Sequence, residues 1–485
     1  MQQSKSNQYA VIAVTLDDFD QAEVLLLMGS NTTEAHPIIA NRMKKAAKNG
    51  LKIIIADPRK IDMVKVAHRH LQINIGSDIA LINALIHTII KEGHYDAEFI
   101  KANTIDFESL KQLVSQYTPE KAAEITGLLP EEIIETAREY ASASNSMIAY
   151  TLGITEHHCG VNNVFNIANL ALLTGHIGKK GNGIMPLRGQ NNVQGAGDMG
   201  CLPNLLPGSV SITDETVVQD IFLTETAKLA DVVLPARSWG ESDGTYTNTD
   251  RRIQRARIAV ESRPNVKEDW EILCELSAKM GYSMNYAKSE EIWDEVRKLA
   301  WEMYGGISYS RLENGYAIHY PCPDENHPGT HILHQHLHEH KSVQSRKSPF
   351  VPVGYTPPIE LPDKDYPFTL TTGRRYETYN THTQTRLYAE GVKIKQIEET
   401  LDVHPADAAL LGIKNGETVQ VSSRRGSLEV KVKITEQVVP GLVFMSFHWY
   451  EVPTNVLTIN EYDPISGTAE FKACAVKIVP IDKQD

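Results

Sequence analysis

Cysteine is scarce in this 485-residue sequence, and its placement argues against an iron–sulfur cluster and against a disulfide framework. The five cysteines stand at 159, 201, 274, 322 and 474, and no two of them form a CxxC pair. A cysteine-held iron–sulfur cluster needs four closely placed thiolates, so we expect none to be encoded here. An odd, scattered set also argues against a disulfide framework and favours a reducing compartment.

Long apolar runs and surplus positive charge are missing as well. No apolar run reaches the 18 residues of a membrane-spanning helix, and the first twenty residues lack the apolar core of a signal peptide. The formal net charge of −13 disfavours nucleic acids and anionic membranes as partners. We therefore expect a cytoplasmic protein with no membrane span and no nucleic-acid partner.

The G-x-G-x-x-G dinucleotide fingerprint is absent, although the sequence near the N-terminus predicts a βαβ unit. AEVLLLMGSN is typical of a buried parallel strand, HPIIANRMKKAAKNG of an amphipathic helix, and LKIIIADPR of a second strand. Ligands of such sheets bind beyond the carboxyl ends of the strands. Those ends carry Gly29, Asn31, Glu34, Asp57 and Arg59. Because the fingerprint is absent, any nucleotide here is held differently from an ordinary NAD.

The remaining patterns predict an α/β protein followed by a β-barrel domain. Helical periodicity continues past the βαβ unit, whereas from about residue 366 short strands alternate with turns. At roughly 150 residues per domain the length allows about three domains. We predict an α/β domain over 1–208, a shortened α/β segment with an irregular linker over 209–345, and a barrel over 346–485.

Two motifs suggest chemistry that their context does not support. GESDG at 240–244 matches a nucleophile elbow, but no strand precedes its serine and no helix follows it. Six of the 18 histidines lie in HPGTHILHQHLHEH, which we interpret as a solvated loop or helix rather than a functional metal site. Neither motif is assigned a role.

Arg188 lies in a loop that is unusually rich in amides and glycine, PLRGQNNVQGAGDMG. Its guanidinium suits a bidentate grip on a carboxylate substrate, and the glycines allow the backbone to approach a ligand. The alternative from the residues alone is a loop arginine paired with a carboxylate such as Asp198.

Several long motifs, in the same order along the chain, resemble the catalytic (alpha) subunit of bacterial molybdopterin-dependent formate dehydrogenases. They include MGSNTTEAHP, IIIADPRK, LGITEHHCGVNN, NLALLTGHIGKKGNGIMPLRGQNNVQGAGDMGCLP, VQDIFLTETAKLADVVLP, YPFTLTTGRR and EFKACAVKI, and the likeness spans nearly all of the chain after about residue 16. The resemblance implies Rossmann-like α/β domains followed by a six-stranded β-barrel of the double-psi type.

The resemblance also implies a bis-molybdopterin guanine dinucleotide cofactor with molybdenum or tungsten, and formate as the substrate. Arg188 would orient formate, with Gln190 as a nearby amide. The residues that would bind the cofactor are Gly29, Asn31, Glu34, Asp57, Arg59, Gly153, Glu156, Gly175, Thr224, Glu225, Asp231, Arg374, Asn455 and Lys472.

The sequence departs from the family pattern in ways that bear on activity. The family's cysteine-rich iron–sulfur segment and its metal-ligating cysteine or selenocysteine have no counterpart here, and a long stretch after NLLPGSV is replaced by about ten residues. We expect formate oxidation only if another chain supplies these parts, with iron–sulfur or NAD-linked electron-transfer subunits as partners. The alternatives are a non-catalytic cofactor-binding or scaffold remnant and an oxidoreductase of the same superfamily acting on nitrate or another oxyanion.

Overall fold

The structure, a computed structural model, describes residues 14–199, 217–313, 316–338, 347–387 and 398–481. The chain divides into two compact units. The first comprises Met1–Gly189, Ile332–His382 and Lys393–Asp485, and the second comprises Gln190–His331 and Thr383–Val392.

The first unit contains a five-stranded parallel sheet in the order β3-β2-β1-β5-β6. Its strands are β1 (Val24–Met28), β2 (Lys52–Ala56), β3 (Arg69–Leu71), β5 (Ser146–Tyr150) and β6 (Gly183–Pro186). Every residue of β1 and β5 is buried, as expected of parallel strands covered on both faces. The strand order reverses between β1 and β5, and ligands of such sheets bind at that switch point.

Helices cover both faces of this sheet and create two apolar cores. The longest, α3 (Asp78–Glu92), is buried along most of its length because most positions of its sequence DIALINALIHTII are apolar. The helices of this region are α1 (Thr32–Ala35), α2 (Pro37–Lys48), α3 (Asp78–Glu92), α4 (Ala97–Asn103), α5 (Phe107–Val114), α6 (Pro119–Thr126), α7 (Pro130–Ser142), α8 (Leu152–Thr155) and α9 (Gly160–Leu173). The strands β4 (Thr104–Ile105) and β12 (Ser348–Pro349) form a short parallel pair beside them.

The C-terminal part of the first unit is a closed six-stranded barrel in the order β13-β17-β14-β16-β15-β18. Its strands are β13 (Phe368–Gly373), β14 (Thr400–Val403), β15 (Thr418–Ser422), β16 (Ser427–Ile434), β17 (Leu442–Ser446) and β18 (Cys474–Pro480), and α16 (Pro405–Leu411) follows β14. Apolar side chains that alternate along the strands fill the interior. The predicted α/β class and six-stranded barrel are confirmed.

The second unit combines two small sheets with short helices. β7 (Val217–Asp220) and β8 (Val232–Pro235) form a parallel pair, and β9 (Gly244–Thr247), β10 (Arg252–Ala256) and β11 (Ile318–His319) form an antiparallel sheet. The helices are α10 (Val193–Asp198), α11 (Asp269–Lys279), α12 (Ser289–Leu299), α13 (Trp301–Tyr304), α14 (Tyr309–Leu312) and α15 (Thr383–Leu387). Its apolar core lies around Trp293, Tyr304 and Ile318.

Two buried histidines of the first unit make it sensitive to acid. Burial lowers the pKa of His448 and of His176 to about 4, from an ordinary value near 6.5. His448 Nε2 accepts a hydrogen bond from the Arg375 backbone N–H at 2.8 Å, and His176 Nε2 lies 3.1 Å from the Ala143 carbonyl. Because the folded state prefers the neutral rings, their stabilising contribution is complete above pH 6.5 and is lost as the pH falls towards 4.

Replacing His176 with glutamine is expected to reduce this acid sensitivity. The amide retains a donor for the Ala143 carbonyl but cannot take up a proton. Between pH 7 and pH 4, the variant should lose about 2 to 3 kcal/mol less unfolding free energy than the parent protein. Denaturant unfolding at several pH values measures the difference, and an identical pH dependence in both proteins would contradict the prediction.

Candidate functional site

A cleft lies at the switch point of the parallel sheet and extends to the rim of the barrel. It contains about 840 Å³ of empty space, including its open mouth. One wall comes from the loops that follow β1, β2 and β5, and the other from the residues at the end of β13 and before β18. The fold therefore brings segments more than 400 residues apart in sequence to one site.

Two glycines let the loops after β1 and β5 approach each other at the base of the cleft. The Gly153 N–H donates to the Gly29 carbonyl at 3.1 Å, and the Thr151 hydroxyl donates to the same carbonyl. A Cβ atom on Gly153 would lie 2.6 Å from both Cα and O of Gly29. Gly29 also has a φ of +52°, which favours glycine. No side chain larger than hydrogen fits between these loops.

Replacing Gly153 with alanine is expected to force these loops apart. Overpacking of this kind costs about 1 to 3 kcal/mol, because the backbone must move. We expect a lower midpoint of thermal unfolding together with weaker binding of guanosine diphosphate in calorimetric titration. Gly240→Ala is the matched control, since a Cβ atom there meets nothing within 4 Å. Equal behaviour of the two variants would contradict the prediction.

Three cationic side chains line the cleft. The Arg59 guanidinium lies 4.0 Å from the centre of the Phe444 ring, and Arg374 donates to the Asn380 side-chain oxygen at 3.1 Å. Lys472 Nζ lies 2.5 Å from a carboxylate oxygen of Glu156 and donates to the Thr372 carbonyl at 3.0 Å. Burial lowers the pKa of Arg374. An acidic chain thus places a local group of cations where an anionic ligand would bind.

Two carboxyl groups also line the cleft. Burial raises the pKa of Asp78 to about 6, against the opposing charge of His157. Burial also raises the pKa of Asp57, although the nearby charge of Arg59 opposes the change. The Asp57 side chain accepts the Arg59 backbone N–H at 2.9 Å, which fixes the turn after β2. These carboxyl groups offer acceptors for ligand N–H groups beside the cations.

Seven of the fourteen residues predicted to bind the cofactor line this cleft, and one more, Glu156, contacts a residue of its lining. Glu156 contacts the cleft through its ion pair with Lys472. The members that line the cleft are Gly29, Asn31, Asp57, Arg59, Gly153, Arg374 and Lys472.

Three other predicted residues of the first unit lie elsewhere. Glu34 lines a separate open groove with Arg375 and Lys433. Gly175 follows α9 and faces Asp96, away from the cleft. Asn455 is exposed in a short turn of the barrel domain. None of the three contributes to the lining of the cleft.

The predicted residues Thr224, Glu225 and Asp231 belong to the second unit. Thr224 is buried and accepts the Ala227 N–H through its hydroxyl, Glu225 pairs with Lys228 at 3.0 Å, and Asp231 is exposed. Gln190 begins the same unit and is half-buried. Their predicted part in cofactor binding stays a prediction.

Arg188 lies next to the cleft, and its side chain is exposed rather than enclosed. The following residue, Gly189, lines the cleft, and a Cβ atom there would lie 3.3 Å from Arg374. The ring of His36 bonds to the Arg188 carbonyl, with Nε2 2.5 Å from the oxygen. His36 therefore fixes the backbone of this loop, and the expected desolvation of the guanidinium is not present in the protein alone.

Sequence reasoning missed His36, Asp78, His157 and Glu470 in and around the cleft. Glu470 holds His157 and His158, with nitrogen–oxygen distances of 3.2 and 3.3 Å. The motif TEHHCG contains both histidines and could have indicated a site, but their partner stands more than 300 residues later.

The two motifs without an assigned role remain without one. Ser242 follows a short 3-10 turn and precedes β9, so the strand–serine–helix order of a nucleophile elbow is not met. Among the residues that the structure describes, no group of three histidine, cysteine or acidic side chains has the arrangement of a metal site. His340 lies outside the described residues.

A parallel α/β sheet with a polar, cation-lined cleft at its switch point, walled by a six-stranded barrel, defines a protein that binds an anionic nucleotide-type cofactor. Family models agree with this class. The Molybdopterin oxidoreductase model matches residues 2–207 and 208–279, and the Molydopterin dinucleotide binding domain model matches residues 368–475. The chain belongs to the molybdopterin oxidoreductase family.

Within this family, the chain is similar to formate dehydrogenase subunits. The chain is 43% identical to the F420-dependent formate dehydrogenase subunit alpha of Methanocaldococcus jannaschii, over 96% of this chain and 77% of that protein. It is 33% identical to formate dehydrogenase H of Escherichia coli, over 97% of this chain and 74% of that protein. The first alignment extends over 527 positions, more than the 485 residues of this chain, so the relative carries internal residues that this chain lacks.

A solved structure supports the fold. Acetylene hydratase from Pelobacter acetylenicus superposes with a TM-score of 0.74 at 18% identity, covering 98% of this chain and 80% of the hydratase. In the part of the chain that the structure describes, no helix is both long and apolar enough to cross a membrane.

The residues of the cleft fit a molybdopterin dinucleotide. A pyrophosphate needs cations, which Arg59, Arg374 and Lys472 provide, and the Gly29–Gly153 pair lets two loops meet at the base of the cleft. His36 Nδ1 is buried and has no hydrogen-bond partner among the described residues, so it has an acceptor or donor to offer a ligand. The donor set therefore agrees with the cofactor that the family models name.

Proposed function

We propose that this chain is the cofactor-binding, formate-oxidising subunit of a formate dehydrogenase, with a bis-molybdopterin guanine dinucleotide bound at the cleft. The observation that carries the proposal is the coincidence of the cation-lined cleft with predicted cofactor residues in a chain 43% identical to a formate dehydrogenase alpha subunit. When bound, this group supplies a molybdenum or tungsten centre that accepts two electrons from formate.

The chain's own residues bind and orient in this proposal. Lys472, Arg374 and Arg59 neutralise the phosphates, and the Asp57 and Asp78 carboxyl groups accept N–H groups of the base or pterin. Arg188 binds the formate carboxylate from the loop that His36 fixes. The guanidinium–carboxylate attraction would strengthen if water were excluded from this loop when the cofactor and formate are bound.

A partner chain takes the electrons in this proposal. The cysteines at 159 and 474 are buried, and burial raises the pKa of both thiols to about 12, so neither is a ready thiolate ligand for the metal. The relative named above is one subunit of an F420-dependent enzyme, which is consistent with a separate electron-transfer subunit here. We propose that such a subunit removes the electrons.

Anaerobic expression followed by metal and pterin analysis tests this function. We expect molybdenum or tungsten near one atom per chain, a guanine nucleotide released on acid treatment, and formate-dependent reduction of a dye. Metal and pterin without dye reduction would favour a cofactor-binding scaffold. Absence of metal, pterin and turnover would overturn the proposal.

A further inference from the structure

Three ionisable side chains form a continuous path that starts at the cleft. His157 lines the cleft, and its Nδ1 lies 3.2 Å from Oε1 of Glu470. The other carboxylate oxygen of Glu470 lies 3.3 Å from Nδ1 of His158. His158 Nε2 lies 3.4 Å from the Thr356 hydroxyl, at the outer end of the path. One carboxylate therefore joins two imidazole rings.

Burial is complete in the middle of this path and lowest at its outer end. The side chain of Glu470 is fully buried and that of His157 is 4% exposed, whereas that of His158 is 17% exposed. His158 does not line the cleft. Backbone N–H groups of His158, Lys472 and Ala473 donate to Glu470 at 2.9 to 3.1 Å and hold its carboxylate in place. The path thus leads from the site towards solvent through fixed groups.

The surrounding charges favour a proton on the inner ring. Burial opposes protonation of His157, but its bond to Glu470 and the charges of Glu470 and Asp78 outweigh burial and raise its pKa, against the charge of Lys472. Burial alone would raise the pKa of Glu470, but His157 and the backbone donors lower it to about 2. Among the residues that the structure describes, Asp78 from α3 and Lys472 from the segment before β18 are the other charged groups that act on His157.

Resting on the proposed function, we propose that His157, Glu470 and His158 are the proton exit route of the cleft. Oxidation of formate to carbon dioxide releases one proton and two electrons, and the proton must leave a site that excludes water. His157 takes up this proton at its second ring nitrogen and gives the Nδ1 proton to Glu470. Glu470 passes it to Nδ1 of His158, whose Nε2 proton goes to solvent. One proton crosses, and each imidazole is left as its other tautomer, which rotation of the ring resets before the next proton.

Exchange of the His157 ring proton with water tests the route without any turnover. In the full-length chain labelled with 15N-histidine, we expect His158→Gln to slow this exchange by about tenfold or more, because the outer acceptor is lost. The pKa of His157 should stay raised in this variant, since Glu470 is intact. Glu470→Gln keeps an oxygen for the backbone donors but should slow exchange and lower the pKa of His157 together.

The matched control is His94→Gln, which removes a half-exposed histidine paired with Glu92 away from the cleft. It should leave exchange at His157 unchanged. Exchange that stays at the parent rate in both His158→Gln and Glu470→Gln would overturn the route.

The cofactor-loaded protein adds a second readout. In His158→Gln, formate turnover should fall with an unchanged KM and a larger solvent isotope effect, and added imidazole should restore it. Unchanged turnover and isotope effect would overturn a role in the reaction. If the parent chain shows no formate turnover, the proposed function fails, whereas the exchange measurement still decides whether protons follow this path.

Discussion

Replacing Arg188 with alanine is expected to lower kcat/KM for formate by about 10²- to 10³-fold in the cofactor-loaded protein, the size typical of a lost oriented donor in a water-excluded site. The guanidinium is exposed in the protein alone, where its attraction to a carboxylate is worth only about 1 kcal/mol. A large effect therefore requires that the bound cofactor and formate remove water around it. Arg188→Lys keeps the charge but loses the planar pair of donors, and we expect an intermediate loss.

Arg138→Ala is the control for this substitution. Arg138 is also exposed and pairs with Glu92 on the surface of the same unit, so its loss should leave turnover unchanged. Pterin and metal content should be equal in all these proteins, which separates an effect on formate from one on cofactor binding. An Arg188→Ala protein with parental kcat/KM would remove this residue from the substrate site.

Replacing Lys472 with methionine is expected to cost stability and cofactor binding together. Lys472 Nζ lies 2.5 Å from the Glu156 carboxylate, and the two side chains are only 8% and 15% exposed. Loss of one member of such a buried pair costs about 3 to 5 kcal/mol, because the other charge stays behind without compensation. Chemical denaturation measures this loss, and calorimetric titration with guanosine diphosphate measures the accompanying loss of affinity.

The same barrel offers a matched control in Lys431→Met. Lys431 pairs with Glu398 at 2.8 Å, but both side chains are about half exposed, so this change should cost about 1 kcal/mol or less. The double variant Lys472→Met/Glu156→Gln should regain most of the stability without regaining nucleotide binding. If Lys472→Met and Lys431→Met destabilise equally, the buried pair is not the structural element that we describe.

The parts of the fold with strong local patterns could be predicted from the sequence. The run VLLLM is apolar throughout and forms β1, and the amphipathic stretch after Pro37 forms α2. Residues directly after strands, such as Asp57 and Gly29, reach the cleft because carboxyl ends of parallel strands meet at one edge. The short alternating strands near the C-terminus likewise indicated the barrel.

Residues whose role depends on distant partners could not be placed in this way. Gly175 follows an apolar helix in a motif of the family, yet it lies against Asp96 because α9 carries it away from the ends of the strands. Glu470 and His157 meet only after the barrel docks on the α/β layer, and no local periodicity records that contact. The family resemblance indicated fourteen cofactor-binding residues, and the tertiary packing places seven of them in the lining of the cleft.

One wall of the cleft comes from residues before 190 and the other from residues after 370, and most of the second unit lies between these segments in the sequence. During translation the α/β layer forms first, and the second wall of its cleft is absent until the barrel has been synthesised. Loading of the prosthetic group is then a late maturation event, and a fragment that stops before β13 would lack one wall of the binding site.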